Sequence, residues 1–190
     1  MTSRPAPPTY TSESWTADTV LSNLRADLPP FSRLFLYLCV NDETGALVHA
    51  EYACHADYLA EFIRHAIAVQ GQRVPSRLTL DPGKQRWVAE FAPLDLIQLA
   101  APPYHPSVGC RVERFALVIR DRFEGALLAT PDHPDLRSVV DLNTALRAWL
   151  RRSPLLGPPA SAAAAAVDLA SPLPCGEGYR RSRGGGPHAH

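Results

Sequence analysis

Lysine is almost absent from this chain: Lys84 stands alone beside eighteen arginines, and the formal net charge is zero. No overall field therefore recruits nucleic acid or an anionic membrane. The four cysteines, Cys39, Cys54, Cys110 and Cys175, lie 15, 56 and 65 positions apart, with no Cys-x-x-Cys pair and no nearby pair of histidines. That spacing argues against a zinc site or a disulfide framework and points to reduced thiols. There is also no charged segment leading into an apolar signal stretch, and no apolar run as long as a membrane span. The expectation is a soluble, cytoplasmic protein with no membrane partner.

What is present supports one ordinary core. A length of 190 residues with 46% apolar content suffices for a single domain with tails. Charge is unevenly distributed: residues 1–63 carry three arginines against eight acids, and residues 64–122 carry nine basic residues against five acids. Any DNA-facing surface should draw on the middle of the chain. The bias to Arg, Pro and Ala also fits a GC-rich coding sequence.

The first dozen residues, with Pro5, Pro7 and Pro8, read as an unstructured lead-in. Residues 23–30 read as a loop closed by Pro29 and Pro30. The apolar run from Leu34 to Val40 predicts a buried strand, Asn41 to Gly45 a turn, and Ala46 to Tyr52 the return strand of a hairpin. Leu59, Phe62, Ile63, Ala66 and Ile67 recur at three- and four-residue steps, which predicts an amphipathic helix opened by Asp57 and ended by Gly71. His65 on this helix reads as a surface or boundary histidine, since no partner at metal-ligand spacing faces it.

A short strand over Arg77 to Leu80, a helix from Lys84 to Phe91, a strand from Leu94 to Ala100, and helices from Ser107 to about Phe123 and from Leu136 to Leu150 complete the pattern. This is an α/β order. Residues 153–190 contain eight Ala, six Pro and six Gly in 38 positions. Such a segment buries too little apolar surface to offset its ordering entropy, so a disordered low-complexity tail is expected. Its repetitive character suggests a reading frame that continues past the gene proper.

Three acids stand in recognisable settings: Asp18 in Ser14-Trp15-Thr16-Ala17-Asp18-Thr19, Asp81 in Leu78-Thr79-Leu80-Asp81-Pro82-Gly83, and Glu113 in Pro106-Ser107-Val108-Gly109-Cys110-Arg111-Val112-Glu113-Arg114. Their order and surroundings resemble the catalytic core of the DDE superfamily, the retroviral-type integrases and insertion-sequence transposases. Leu142-Asn143 followed by Leu146 and Trp149 is similar to a helix that follows the catalytic Glu helix in those transposases. The likeness runs from about Trp15 to Arg152, which divides the chain into a disordered lead-in (1–13), a core (14–152) and the tail (153–190). Pro82 stands where the family usually has Asn, Val108 where Asn is common, and 31 residues separate Asp81 from Glu113, fewer than is usual in retroviral integrases.

The resemblance implies a ribonuclease H-like fold, with a mixed sheet flanked by helices. It implies metal-dependent DNA cleavage and strand transfer, with Mg²⁺ or Mn²⁺ held by Asp18, Asp81 and Glu113, and Asp18 shared between two ions. Hard divalent cations prefer carboxylate oxygens, and a pair of them can stabilise the attacking and leaving oxygens of an in-line displacement. Lys84, Arg86, Arg111 and Arg114 flank the acids where substrate phosphates would lie, with Tyr104 and His105 in the loop before Glu113. DNA is the implied partner, with a second copy of the chain or a full-length transposase as further candidates.

Each acid also has a plainer reading. Asp18 would cap a short helix, Asp81-Pro82-Gly83 is turn chemistry, and Glu113 is one charge on a solvated helix face. The family's helix-turn-helix region and downstream β-barrel have no counterpart in this sequence, which suggests a truncated member. The alternative class is a non-catalytic fragment that binds nucleic acid or a full-length transposase and inhibits it. An unrelated α/β domain with structural acids is the third reading.

Overall fold

The computed structural model describes residues 7–24, 33–81, 98–100, 106–130 and 138–153. Their elements are β1 (Thr9–Tyr10), β2 (Ser14–Leu21), β3 (Phe35–Asn41), β4 (Leu47–Ala53), α1 (Leu59–Val69), β5 (Arg73–Val74), β6 (Arg77–Thr79), β7 (Gln98–Ala100), α2 (Pro106–Val118), a π-helical segment (Ile119–Glu124), α3 (Gly125–Leu128) and α4 (Val139–Arg152).

Five strands form one sheet in the order β4-β3-β2-β6-β7. The pairs β3–β4 and β2–β3 are antiparallel, while β2–β6 and β6–β7 are parallel. With helices on both faces, this is the ribonuclease H-like mixed sheet expected from the sequence.

β3 is apolar at successive positions because both of its faces are covered. Tyr37 and Cys39 join Trp15, Ala17, Leu78 and Leu80 beneath α1, packed on Phe62, Ile63 and Ala66. Leu36, Leu38 and Val40 face the other way, against Val112, Ala116 and Ile119 of the α2 run and Leu142, Leu146 and Leu150 of α4. The i, i+3, i+4 spacing in α1 is the stripe that turns to this sheet. Gly71 closes the helix with φ of +71°, a conformation open to glycine without the Cβ clash.

Several boundaries differ from expectation. Thr9–Tyr10 of the supposed lead-in pair in parallel with Arg73–Val74. Nearby, Glu13 accepts from Trp15 Nε1 at 3.0 Å and from Arg73. α1 begins at Leu59, with Asp57 in the preceding turn. The Ser107 helix runs on through the π segment and α3 to Leu128. α4 starts at Val139, where Ser138 Oγ accepts from Asp141 N at 3.1 Å and donates to Asp141 Oδ2 at 2.7 Å. The Lys84–Phe91 helix, residues 94–97 of the next strand, positions 136–137 and the tail after Ser153 lie outside the described residues. Among the described residues no helix is long and apolar enough to cross a membrane.

β4 is an edge strand, a position that exposes backbone groups to pairing with other chains. Asn143 of α4 covers part of that edge: its Oδ1 accepts from Tyr52 N at 2.7 Å and its Nδ2 donates to Tyr52 O at 2.9 Å. Gln70 donates to Val48 O at 3.1 Å. The Leu-Asn pair of the sequence motif thus has a structural task. Asn143→Ala leaves two buried backbone groups unpaired at about 1–3 kcal/mol each. The expected outcome is a loss of about 2–5 kcal/mol in urea unfolding, and a loss below about 0.5 kcal/mol would contradict this capping role.

Candidate active site

Strand alternation decides which way the first acid points. Trp15 and Ala17 are buried under α1, so Thr16, Asp18 and Val20 turn to the opposite face, the one covered by α2. Asp18 is half-buried and lies opposite Leu38 of β3. It sits mid-strand, so the helix-cap reading is corrected: a residue inside a paired β ladder has no helix N-terminus to cap. Its Oδ1 accepts from Thr19 N at 2.7 Å.

The second acid follows the end of β6. Leu78 and Leu80 belong to the α1 side. Thr16 pairs with Thr79 in the parallel β2–β6 ladder. Asp18 comes two residues further along β2, and Asp81 lies two residues past Thr79, exposed beyond the strand end.

Glu113 is on the helix laid over this face. Val112, Ala116, Ile119 and Phe123 point into the core, and Glu113 is exposed beside them. Two turns later on the same flank, Arg120 donates to the carbonyl oxygen of Leu21 at the end of β2. That contact identifies the Glu113 flank as the one nearer β2. Arg111, on the other flank, donates to the carbonyl of Asp42 in the β3–β4 turn.

The chemistry of this donor set, three carboxylates and no soft ligand, suits Mg²⁺ or Mn²⁺. Among the described residues, no three His, Cys, Asp or Glu side chains are gathered closely enough to hold a metal ion. Asp18 lies within β2, Asp81 just after β6 and Glu113 on α2, and the three do not close a cage.

Of the expected DNA contacts, Arg114 is exposed, and Arg111 is exposed but bonded to the hairpin turn. Lys84, Arg86, Tyr104 and His105 lie outside the described residues.

Two polar clusters escaped sequence reading. Glu124 is fully buried at 0% exposure. Its Oε1 accepts from Ser22 Oγ at 2.8 Å and Tyr52 Oη at 2.9 Å, and its Oε2 accepts from Asn23 N at 2.8 Å. Burial and the adjacent carboxylate push the Tyr52 phenol well up, so it stays a donor.

The other cluster surrounds Glu51 on the α1 face. Glu51 Oε2 lies 3.2 Å from His49 Nε2 and 3.0 Å from His65 Nδ1, and Tyr58 Oη donates to Oε1 at 3.3 Å. The only forward signal was that His49 and Glu51 alternate on one strand face.

No protein-family model and no curated protein sequence matches the chain. Solved structures similar to it include the following three. A simian T-cell lymphotropic virus intasome in complex with the PP2A regulatory subunit B56 gamma matches at 20% identity and a TM-score of 0.49, covering 80% of this chain and 58% of that one. The HTLV-2 integrase catalytic core domain in complex with magnesium, in dimeric form, matches at 19% and 0.48, covering 74% and 86%. The catalytic core domain of BIV integrase matches at 20% and 0.47, covering 72% and 80%. The chain spans less than two thirds of the intasome chain. Likeness of this size transfers no residue's role, and the fold assignment rests on the strand order.

The Glu51 cluster makes stability pH-dependent. Burial alone would raise the Glu51 carboxyl, but hydrogen bonds from His49 and His65 outweigh it and hold it at about 2, below the ordinary 4.5. Burial would lower His65, yet its bond to Glu51 prevails and raises it above 6.5. Glu61 adds to that rise and Arg147 opposes it. The Glu51 contribution is present above 4.5 and fades as pH falls towards 2. The His65 contribution is complete below 6.5 and fades as pH rises through its raised folded-state value. Glu51→Gln is therefore expected to flatten the fall in urea-unfolding stability as pH rises above 6.5. An unchanged slope would contradict the pairing.

Proposed function

We propose that this chain is an integrase- or transposase-type catalytic core acting on DNA, with Asp18, Asp81 and Glu113 as carboxylate ligands for Mg²⁺ or Mn²⁺. The observation that supports the reading is that Thr16 pairs with Thr79 in the parallel β2–β6 ladder, so that Asp18 lies two residues further along β2 and Asp81 two residues beyond Thr79, just after the end of β6.

Asp18 on the central strand would contribute oxygens towards both neighbours, Asp81 from the adjoining strand end and Glu113 from the helix. When bound, the divalent ions supply charge stabilisation at the oxygens that attack and leave the phosphorus. The chain's own part is to hold the carboxylates ionised and oriented, and to seat the DNA backbone. Arg114, with Lys84, Arg86, Tyr104 and His105, is proposed for that seating, through contacts that position the strand without reading its sequence. Arg111 serves the hairpin turn, and its phosphate role is secondary. DNA is the proposed partner. A homo-oligomer is proposed as the working form.

Nicking or strand transfer on a DNA-end substrate is expected to require Mg²⁺ or Mn²⁺. Asp81→Asn and Glu113→Gln should each lower it by about 100-fold or more, with urea unfolding unchanged to about 0.5 kcal/mol because both side chains are exposed. Activity that survives both substitutions removes these residues from the chemistry. A chain inert with both metals that still depresses transposition by a co-expressed full-length relative would replace this reading with the inhibitor.

A further inference from the structure

The last turn of α4 and the π-helical segment border a shallow, open pocket of about 240 Å³, lined among the described residues by Arg122, Trp149, Arg152 and Ser153. Arg122 and Arg152 are exposed, and among the described residues no carboxylate forms an ion pair with either. Trp149 is partly buried against the core, with its ring centroid 5.7 Å from that of Phe123 and the planes at 49°. Phe123, the neighbour of Arg122, thus anchors the indole to the core while another part of the ring lines the pocket.

Helix-end electrostatics explains part of this charge, since Arg151 and Arg152 lie in the last turn of α4, where cations are favoured. It does not explain Arg122, which reaches the same pocket from a different helix. Two guanidinium groups lining one small space repel each other, and a bound anion relieves that repulsion. Arg122 belongs to the π-helical turn Ile119–Glu124, a local widening found often at functional sites. The pocket is also separate from the acids. Arg120 of the same turn reaches Leu21 O of β2, whereas Arg122, nine positions after Glu113, lines a space shared with α4.

We infer that Arg122, Trp149, Arg152 and Ser153 form a seat for an unpaired nucleic-acid strand, in which the guanidinium groups take a backbone phosphate and the indole stacks on a base. The inference goes beyond the proposed chemistry and needs none of the three acids or their ions. Size and chemistry together select the ligand. The volume falls below the range of about 300–1,000 Å³ usual for small-molecule sites, so the pocket suits one unit of a polymer rather than a whole small ligand. An acidic or phosphoserine peptide would use the arginines, but it offers no planar ring beside its anion. Duplex DNA keeps its base faces stacked inside. An unpaired strand presents a phosphate and a base face together, and cationic and aromatic side chains are the usual means of holding both.

The test reads binding of the full chain to labelled oligo-dT and oligo-rU of about 12 nucleotides, and to a duplex of the same length, by fluorescence anisotropy. EDTA is present, so no divalent ion contributes. Arg122→Ala and Arg152→Ala are each expected to weaken binding of the unpaired strands about 5-fold and to lower the salt slope by about 0.7. Trp149→Leu should weaken it about 10-fold and leave duplex binding unchanged, while Trp149→Phe, which keeps a stacking face, should lose less. Arg64→Gln removes the same charge from α1 on the opposite sheet face and should change binding by less than about 2-fold. Urea unfolding monitors every variant, and the two exposed arginines keep the test decisive if Trp149→Leu does not fold. Tighter binding of oligo-dT than of oligo-rU assigns the strand as DNA and the reverse as RNA, and either supports the seat. Arginine variants that behave as Arg64→Gln does, or a folded Trp149→Leu that binds as wild type, overturn the inference. So do equal losses on the duplex, or a phosphoserine peptide that binds more tightly than either oligonucleotide and is weakened by the same variants. Strand transfer that fails in Mg²⁺ while this variant pattern holds removes the proposed chemistry and leaves the seat, and strand transfer without the pattern removes the seat alone.

Discussion

Everything in this structure depends on β2 lying in the middle of the sheet with a different helix on each face. It is paired antiparallel to β3 on one side and parallel to β6 on the other. Its odd positions, Trp15 and Ala17, are consumed by the core beneath α1. Its even positions are free to carry polar atoms towards α2, and Asp18 is one of them. A strand that twists by one register would exchange the two sets and bury the aspartate in the hydrocarbon under α1. The apolar side thus enforces the orientation of the acidic side.

That dependence explains why some features were legible in the sequence and others were not. The α1 stripe and the β3 run are repeated local signals, and each of Leu59, Phe62, Ile63, Ala66 and Ile67 is buried as its spacing requires. Asp18 and Asp81 were legible as motif members; Asp18 lies inside β2, and Asp81 follows the end of β6. Glu124 was not legible, because its burial depends on donors at positions 22, 23 and 52. A carboxylate between Phe123 and Gly125 carries no local sign of partners about a hundred residues away. Arg111 illustrates the same limit: near an acidic motif it reads as a phosphate ligand, yet the fold gives it the Asp42 carbonyl.

The polar side chains of the core serve as joints rather than as bulk. Asn143 holds α4 to the β4 edge by both backbone groups of Tyr52. Asp42 collects two hydroxyls from β2, and Glu124 joins three elements. The apolar clusters supply most of the driving force for folding, but they leave helices free to choose among near-equivalent seats. Directional bonds select one seat.

The central claim is that Asp18, Asp81 and Glu113 meet around a divalent cation. Anomalous scattering from a crystal of the full chain grown with Mn²⁺ tests it most directly. The expected result is an ion between the ends of β2 and β6 with Asp18 and Asp81 oxygens at about 2.0–2.3 Å, and Glu113 turned in from α2 as a direct ligand of that ion or of a second one beside it. A manganese peak elsewhere, or none while the three carboxylates stay apart at saturating Mn²⁺, would contradict the account.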